Sequence, residues 1–292
     1  MRNATGVKRA AAAPARALWI DGRLRRGDEA ALSLFDRGAR DGEGLFETLR
    51  VDGGRPRFWT RHIERLVLSA AVLGFPVPPS PARLRDGIAE LLDEGDMADA
   101  VVRITVTRGI PGGRPTRTGV WIDAEPVAGR LWRGTRGGAA SVIVSKRPFE
   151  PGPLGAHKTT SRLAYHLARE EARAARADEA LLVSGARLVL EGAASNVFAV
   201  IADQVVTPPL SLGILPGITR AVVLGACRAA GLHARERRLT RADLDQADEI
   251  FLTGSVQEVV AVGTLDGRAR PRGPVAPRLL EAYRAEAARS LG

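Results

Sequence analysis

Three short segments of this chain carry residue types that can do chemistry together. Lys158 stands between Gly155-Ala156-His157 and Thr159-Thr160-Ser161-Arg162-Leu163, just before a segment that reads as a helix. A lysine at such a junction is ordinarily a solvated charge. Buried, it loses its proton more readily and becomes a nucleophile for an aldehyde, the requirement of Schiff-base chemistry. The run Leu190-Glu191-Gly192-Ala193-Ala194-Ser195-Asn196 places an acid at the end of a strand, followed by small residues. A carboxylate in that position can face a pyridine nitrogen and keep it protonated, which turns the ring into an electron sink. Its plain alternative is a polar turn. The third segment, Gly213-Ile214-Leu215-Pro216-Gly217-Ile218-Thr219-Arg220, opens a helix. Backbone N–H groups at a helix start, with the helix dipole behind them, form a cradle for a phosphate. No metal-ligand spacing accompanies these segments, and no metal is expected.

The elements that must position these residues alternate between strand and helix. Ala17–Ile20 and Leu24–Arg26 flank Asp21-Gly22, a hairpin signal, and a second hairpin joins Gly44–Val51 to Arg55–Trp59. Arg61–Leu73 reads as a helix presenting Ile63, Leu66, Val67 and Ala70 on one face, and Pro81–Glu94 as another. Strands Ala100–Thr107 and Gly119–Asp123 enclose a Gly/Pro/Arg loop. Gly and Arg then accumulate over 127–138 without apolar periodicity, which marks an interdomain linker. Strand Ala140–Ser145, helix Thr160–Arg176, two strands meeting near Gly185 and helix Ile218–Ala230 follow, and helix Ala276–Ser290 ends the chain. The expected fold is α+β with two α/β domains and the site between them. The division expected is a disordered tail over 1–16, a smaller domain over 17–126, the linker, and a larger domain over 139–292.

Composition narrows the function classes. The chain has 292 residues and a net charge of +10, from 43 Lys and Arg against 33 Asp and Glu. That excess raises nucleic-acid binding as a rival, a basic binding protein on a non-catalytic fold. The arginines are scattered, however, and no basic run is interleaved with aromatic residues, so no nucleic acid is expected as a partner. A cationic surface that draws in anionic substrates accounts for the charge equally well. No apolar run reaches the length of a membrane span. The single cysteine, Cys227, permits a reducing compartment, and the cytoplasm is expected.

Taken in order and at these separations, the three segments resemble the class IV aminotransferases, the fold-type IV enzymes that use pyridoxal 5′-phosphate (PLP). That family includes branched-chain and D-amino-acid aminotransferases and aminodeoxychorismate lyase. The resemblance runs from about Leu18 to the C-terminus and includes Gly44-Leu45-Phe46-Glu47-Thr48-Leu49-Arg50, His62-Ile63-Glu64-Arg65-Leu66 and Thr253-Gly254-Ser255-Val256-Gln257-Glu258-Val259. It implies that Lys158 holds the cofactor and shuttles the substrate's α-proton, and that Glu191 pairs with the pyridine nitrogen. Arg65, Ile218, Thr219 and Ser255 are implied as phosphate ligands, with Ser195 and Asn196 also in the cofactor site. Phe46, Gly254 and Arg114 are implied on the substrate side, Arg114 as the carboxylate ligand. The tyrosine that meets the cofactor's phenolic oxygen in branched-chain enzymes is missing: Leu163 has its spacing and Tyr165 comes two residues later. The implied reaction is amino-group transfer between an amino acid or amine and a 2-oxo acid. Pyruvate release from aminodeoxychorismate, giving 4-aminobenzoate, stands as the alternative. A homodimer is implied as well.

Overall fold

The computed structural model describes residues 17–112 and 119–291. The Met1–Arg16 tail and Arg114 therefore lie outside the described residues. Two sheets organise the chain. Six strands build the first: β1 (Ala17–Ile20), β2 (Arg23–Arg26), β3 (Gly44–Asp52), β4 (Arg55–Pro56), β5 (Ala100–Thr107) and β6 (Val120–Pro126). Their order is β2-β1-β6-β5-β3-β4, antiparallel throughout. Asp21 and Gly22 both take positive φ between the paired Ile20 and Arg23, the two-residue turn that suits the twist of a hairpin. The second hairpin is shorter than its apolar pattern suggests. Pro56 has no N–H to continue the ladder, and Phe58 turns left-handed at φ 50°. Trp59 consequently begins a helix rather than ending a strand.

The helices Trp59–Val72 and Pro81–Glu94 cover one face of this sheet. Leu66, Leu84, Ile88 and Leu91 pack there on Leu49, Val102, Ile104 and Ile122. Each such buried side chain contributes about 1.5–3 kcal/mol. Val67, expected on the buried face, is 44% exposed. The inward stripe runs through His62, Ile63, Leu66, Ser69 and Ala70, and Val67 falls just beyond its edge.

The second sheet contains β7 (Ala140–Pro148), β8 (Glu179–Val183), β9 (Leu188–Gly192), β10 (Asn196–Ile201), β11 (Gln204–Thr207), β12 (Ala234–Glu236), β13 (Leu239–Thr240), β14 (Glu249–Gly254), β15 (Glu258–Leu265) and β16 (Arg268–Ala269). Its order is β12-β11-β10-β14-β15-β7-β8-β9-β13, with β16 on β15. Strands β9 and β10 stand five steps apart in that order, yet only Ala193, Ala194 and Ser195 join them. The sheet must therefore curl until β9 returns beside β10. Alternation along the strands fits this: Val197, Ala199, Ile250 and Leu252 point into one cluster, while Phe198, Val200 and Phe251 point into another. The outer cluster is closed by helices Ile218–Ala229 and Val275–Arg289, and helix Leu163–Ala174 packs on β8 and β9 through Tyr165, Ala168 and Ala172. Between the sheets, residues 127–138 carry two short helices, Val127–Arg130 and Arg133–Gly137. Gln257 ties them to the β14–β15 turn by accepting from Trp132 N and donating to the Arg130 carbonyl.

Candidate active site

One cavity between the two sheets brings together almost every residue singled out from sequence. Lys158, Arg65, Glu191, Ser195, Asn196, Ile218, Thr219, Ser255, Phe46 and Gly254 all line it. Lys158 reaches it because its loop crosses from the second sheet to the first. Phe46 N donates to the Lys158 carbonyl at 2.8 Å, and Thr160 N to the Gly44 carbonyl at 2.8 Å. Gly44 permits that approach, since a Cβ there would come within 2.7 Å of Thr160 Oγ1. The Lys158 ammonium lies 4.6 Å from the centroid of Phe46. Burial, with the Arg162 and Arg65 guanidinium groups beside it, pulls its pKa down to about 7.

Glu191 closes β9, where the curl of the sheet brings it against the start of β10. Tyr165 Oη donates to its Oε1 at 3.4 Å. Asn196 Nδ2 and Leu215 N each approach Oε2 at 3.2 Å. Burial nevertheless dominates and pushes this carboxyl up to about 7. Ser195 turns away from Glu191: its hydroxyl donates to buried Glu179 at 2.9 Å, alongside Ala194 N. It holds the β9–β10 turn in shape from behind.

Arg65 sits one helical turn after His62 on the helix that covers the first sheet. It grips Glu47 with two bonds, Nε to Oε1 at 2.7 Å and Nη2 to Oε2 at 2.6 Å, and Nη1 donates to the Pro216 carbonyl at 2.9 Å. His62 Nδ1 lies 2.7 Å from Glu47 Oε2, and its Nε2 lies 3.4 Å from Ser255 Oγ. Burial alone would raise the Glu47 pKa, but Arg65 and His62 overcome it and hold the carboxyl at about 2. His62 is pushed down by burial and stays neutral near pH 7. The arginine is thus fixed in place with donors to spare, since three of its five N–H groups serve these partners.

Beside Arg65, the helix Ile218–Ala229 starts at Gly217 with no side-chain cap on its first N–H groups, and Gly217, Ile218 and Thr219 line the cavity. Among the described residues the Thr219 and Thr253 hydroxyls, buried there, make no hydrogen bond of good geometry. Arg103 completes the wall, its guanidinium carbon 3.8 Å from the Phe46 centroid.

Glu47, His62, Arg103, Arg162 and Tyr165 were given no role from sequence. One signal was available for Glu47. Leu45, Glu47, Leu49 and Val51 share a period of two on the core-facing side of β3, and an acid in such a row needs a buried cation.

The arrangement is a buried lysine with a lowered pKa, a buried acid in the same cavity, and an arginine beside an uncapped helix start, a set of groups that could serve Schiff-base chemistry and hold an anion. The comparisons agree with that chemistry. The model of the family "Amino-transferase class IV" matches residues 44–265. A Methanocaldococcus jannaschii protein assigned as a branched-chain-amino-acid aminotransferase is 32% identical over 279 residues, 91% of this chain and 95% of that protein. A D-alanine aminotransferase of Bacillus licheniformis is 30% identical, over 88% of this chain and 91% of its own. The PLP-bound structure of a Mycobacterium tuberculosis protein described as "a hypothetical aminotransferase" superposes with a TM-score of 0.83 at 28% identity, covering 94% of this chain and 99% of that one. Site, fold and likeness converge: the chain belongs to the class IV aminotransferases, enzymes of fold type IV that work with PLP.

Proposed function

We propose that this enzyme moves an amino group between an amino acid or amine and a 2-oxo acid, with Lys158 as the residue that holds PLP and moves the proton. The observation that carries this reading is the pairing of Lys158 and Glu191 in one cavity, each drawn by burial towards a pKa of about 7. A lysine in that range offers a neutral amine at neutral pH, as addition to an aldehyde requires. Glu191, partly discharged by burial, would be held charged by a protonated ring nitrogen placed beside it.

The residues present fit the cofactor. Among the described residues the buried hydroxyls of Thr219 and Thr253 make no hydrogen bond of good geometry, and an uncapped helix start and a clamped arginine stand beside them. Arg65, the Ile218 and Thr219 amides, and the Thr219 and Ser255 hydroxyls would hold the 5′-phosphate. Asn196 and Tyr165 orient Glu191. When bound, PLP supplies the electron sink that stabilises charge developing at the substrate's α-carbon. Lys158 Nζ would take the proton from that carbon, since its amine, with a pKa of about 7, is basic enough near neutrality to do so. Phe46 and Gly254 shape the substrate side, and Arg114, outside the described residues, is the proposed carboxylate ligand.

The same reading includes a homodimer, two domains over 17–126 and 139–292 joined by 127–138, and a reducing, cytoplasmic setting. Leu34, Phe35, Leu68 and Val72 are 82%, 67%, 63% and 62% exposed, apolar surface that a second copy would cover. The lone cysteine, Cys227, is buried and its thiol is pushed up to about 11, inert rather than redox-active. Among the described residues no helix is long and apolar enough to cross a membrane.

The experiment is a half-reaction. Amino donors of both hands are added without acceptor, and the cofactor's absorbance is followed. Conversion of the cofactor to its aminated form, reversed by a 2-oxo acid, supports transfer. Failure of every donor, with pyruvate released from aminodeoxychorismate, would replace transfer by elimination.

A further inference from the structure

Glu191 has two flanks. Its Oε2 is met by Leu215 N and Asn196, and the chain runs on from Leu215 into Pro216, Gly217 and the helix start beside Arg65, the anion cup. Its Oε1 is met by Tyr165, and there Arg162 stands at the head of the Leu163–Ala174 helix. A PLP ring fixed through C4′ at Lys158 and through its nitrogen at Glu191 spans the cavity along one axis, because those two positions lie across the ring. One edge then bears the phosphate arm and belongs with the Oε2 flank. The other bears the phenolic oxygen and belongs with the Oε1 flank.

Three side chains compete for that second edge. Leu163 is 72% exposed and points out of the site. Tyr165 spends its hydroxyl on Glu191, and burial pushes its pKa up to about 12, so it remains a neutral donor. Arg162 lines the cavity, stacks its guanidinium carbon 3.3 Å from the Tyr165 ring centroid, and gives Nη2 to the Ala193 carbonyl at 3.1 Å. Among the described residues it forms no ion pair with a carboxylate. The Tyr165 side chain and the Ala193 carbonyl fix the guanidinium, and Glu191 is the carboxylate that acts most on its charge, so it stands at the cavity wall with N–H donors beyond those two partners.

Resting on the assignment of Lys158 and Glu191 above, we propose that Arg162 is the residue that binds the phenolic-oxygen edge of the bound cofactor. A cation there favours the phenolate and opposes a proton on the adjacent cofactor-linked Lys158 nitrogen. Other groups also act on that nitrogen: charged Arg65 and titratable His62 from helix Trp59–Val72, Glu47 from β3, and Glu191 from β9. Arg103, from β5, stands beyond Phe46. Arg162 lies on the phenolic flank and exerts the largest charge effect of all on Lys158.

The test uses holoenzyme without substrate, so it reads the same whether the reaction proves to be transfer or elimination. The pH midpoint of the cofactor's visible absorbance change is measured for wild type, R162Q, R162K and Y165F. R162Q is expected to raise the midpoint by about one pH unit or more, the usual effect of losing an adjacent opposing charge. R162K and Y165F should stay near wild type. In steady state R162Q should lower kcat at least tenfold with a smaller change in KM. An unmoved midpoint in R162Q, or a donor KM raised tenfold with the midpoint still, would assign Arg162 to the substrate carboxylate and overturn the proposal. Should R162Q not retain cofactor, R162K and Y165F decide: a shift in Y165F larger than in R162K would give the edge to Tyr165.

Discussion

Replacing Glu47 by Gln removes the anion on which Arg65 and His62 converge while keeping the size of the side chain. Glu47 is 1% exposed, so solvent screens its interactions little. Folding lowers its pKa from 4.5 to about 2. At about 1.4 kcal/mol per unit, that corresponds to roughly 3 kcal/mol of stability at neutral pH. Breaking a buried ion pair by removing one partner costs about 3–5 kcal/mol, because the other charge is stranded. The two routes agree on a loss of about 3–5 kcal/mol. Because folding depresses this acid, its contribution is complete above pH 4.5 and fades as the pH falls towards 2. Urea unfolding of the cofactor-free protein, followed by circular dichroism from pH 7 down to pH 3, should show E47Q much less stable at pH 7. The gap should narrow towards pH 3. Equal urea midpoints at pH 7, or a gap that does not change with pH, would refute the view that this carboxylate anchors Arg65 as a charged group.

Two further substitutions address the cofactor's other contacts. Glu191→Gln removes the charge expected beside the ring nitrogen and should slow α-proton abstraction by orders of magnitude in stopped-flow half-reactions; a near-normal rate would place Glu191 elsewhere in the mechanism. Arg65→Ala should weaken PLP binding by about 2–4 kcal/mol in titrations of the cofactor-free protein; unchanged affinity would remove Arg65 from the phosphate cup.

Lys158, Glu191 and the helix start at Ile218 are each ambiguous as local patterns, a loop–helix junction, a strand end before small residues and a Pro-Gly helix entry, and stand out only through their joint resemblance to the class IV aminotransferases. The hairpin at Asp21-Gly22 was legible locally, its turn being decided by two adjacent residues. What escaped depends on contacts distant in sequence. The clamp of Glu47 on Arg65 needs β3 packed under helix Trp59–Val72, 18 residues on. Ser195 lines the cavity, and the partner that its hydroxyl takes, Glu179, is 16 residues away in sequence and stands behind the turn. Arg162 and Tyr165 gain meaning only from the curl of the second sheet, which brings Glu191 between them and the anion cup. The early start of the helix at Trp59 follows from Pro56 and left-handed Phe58, a backbone decision that apolar pattern does not report.

The central claim, that Lys158 is the residue that carries PLP, is tested most directly by reducing the holoenzyme with borohydride and mapping the modified peptide by mass spectrometry. A phosphopyridoxyl group on Lys158, lost in Lys158→Ala protein that still folds, is the result this account predicts. The same group found on Lys146, or retained in the Lys158→Ala variant, would contradict it.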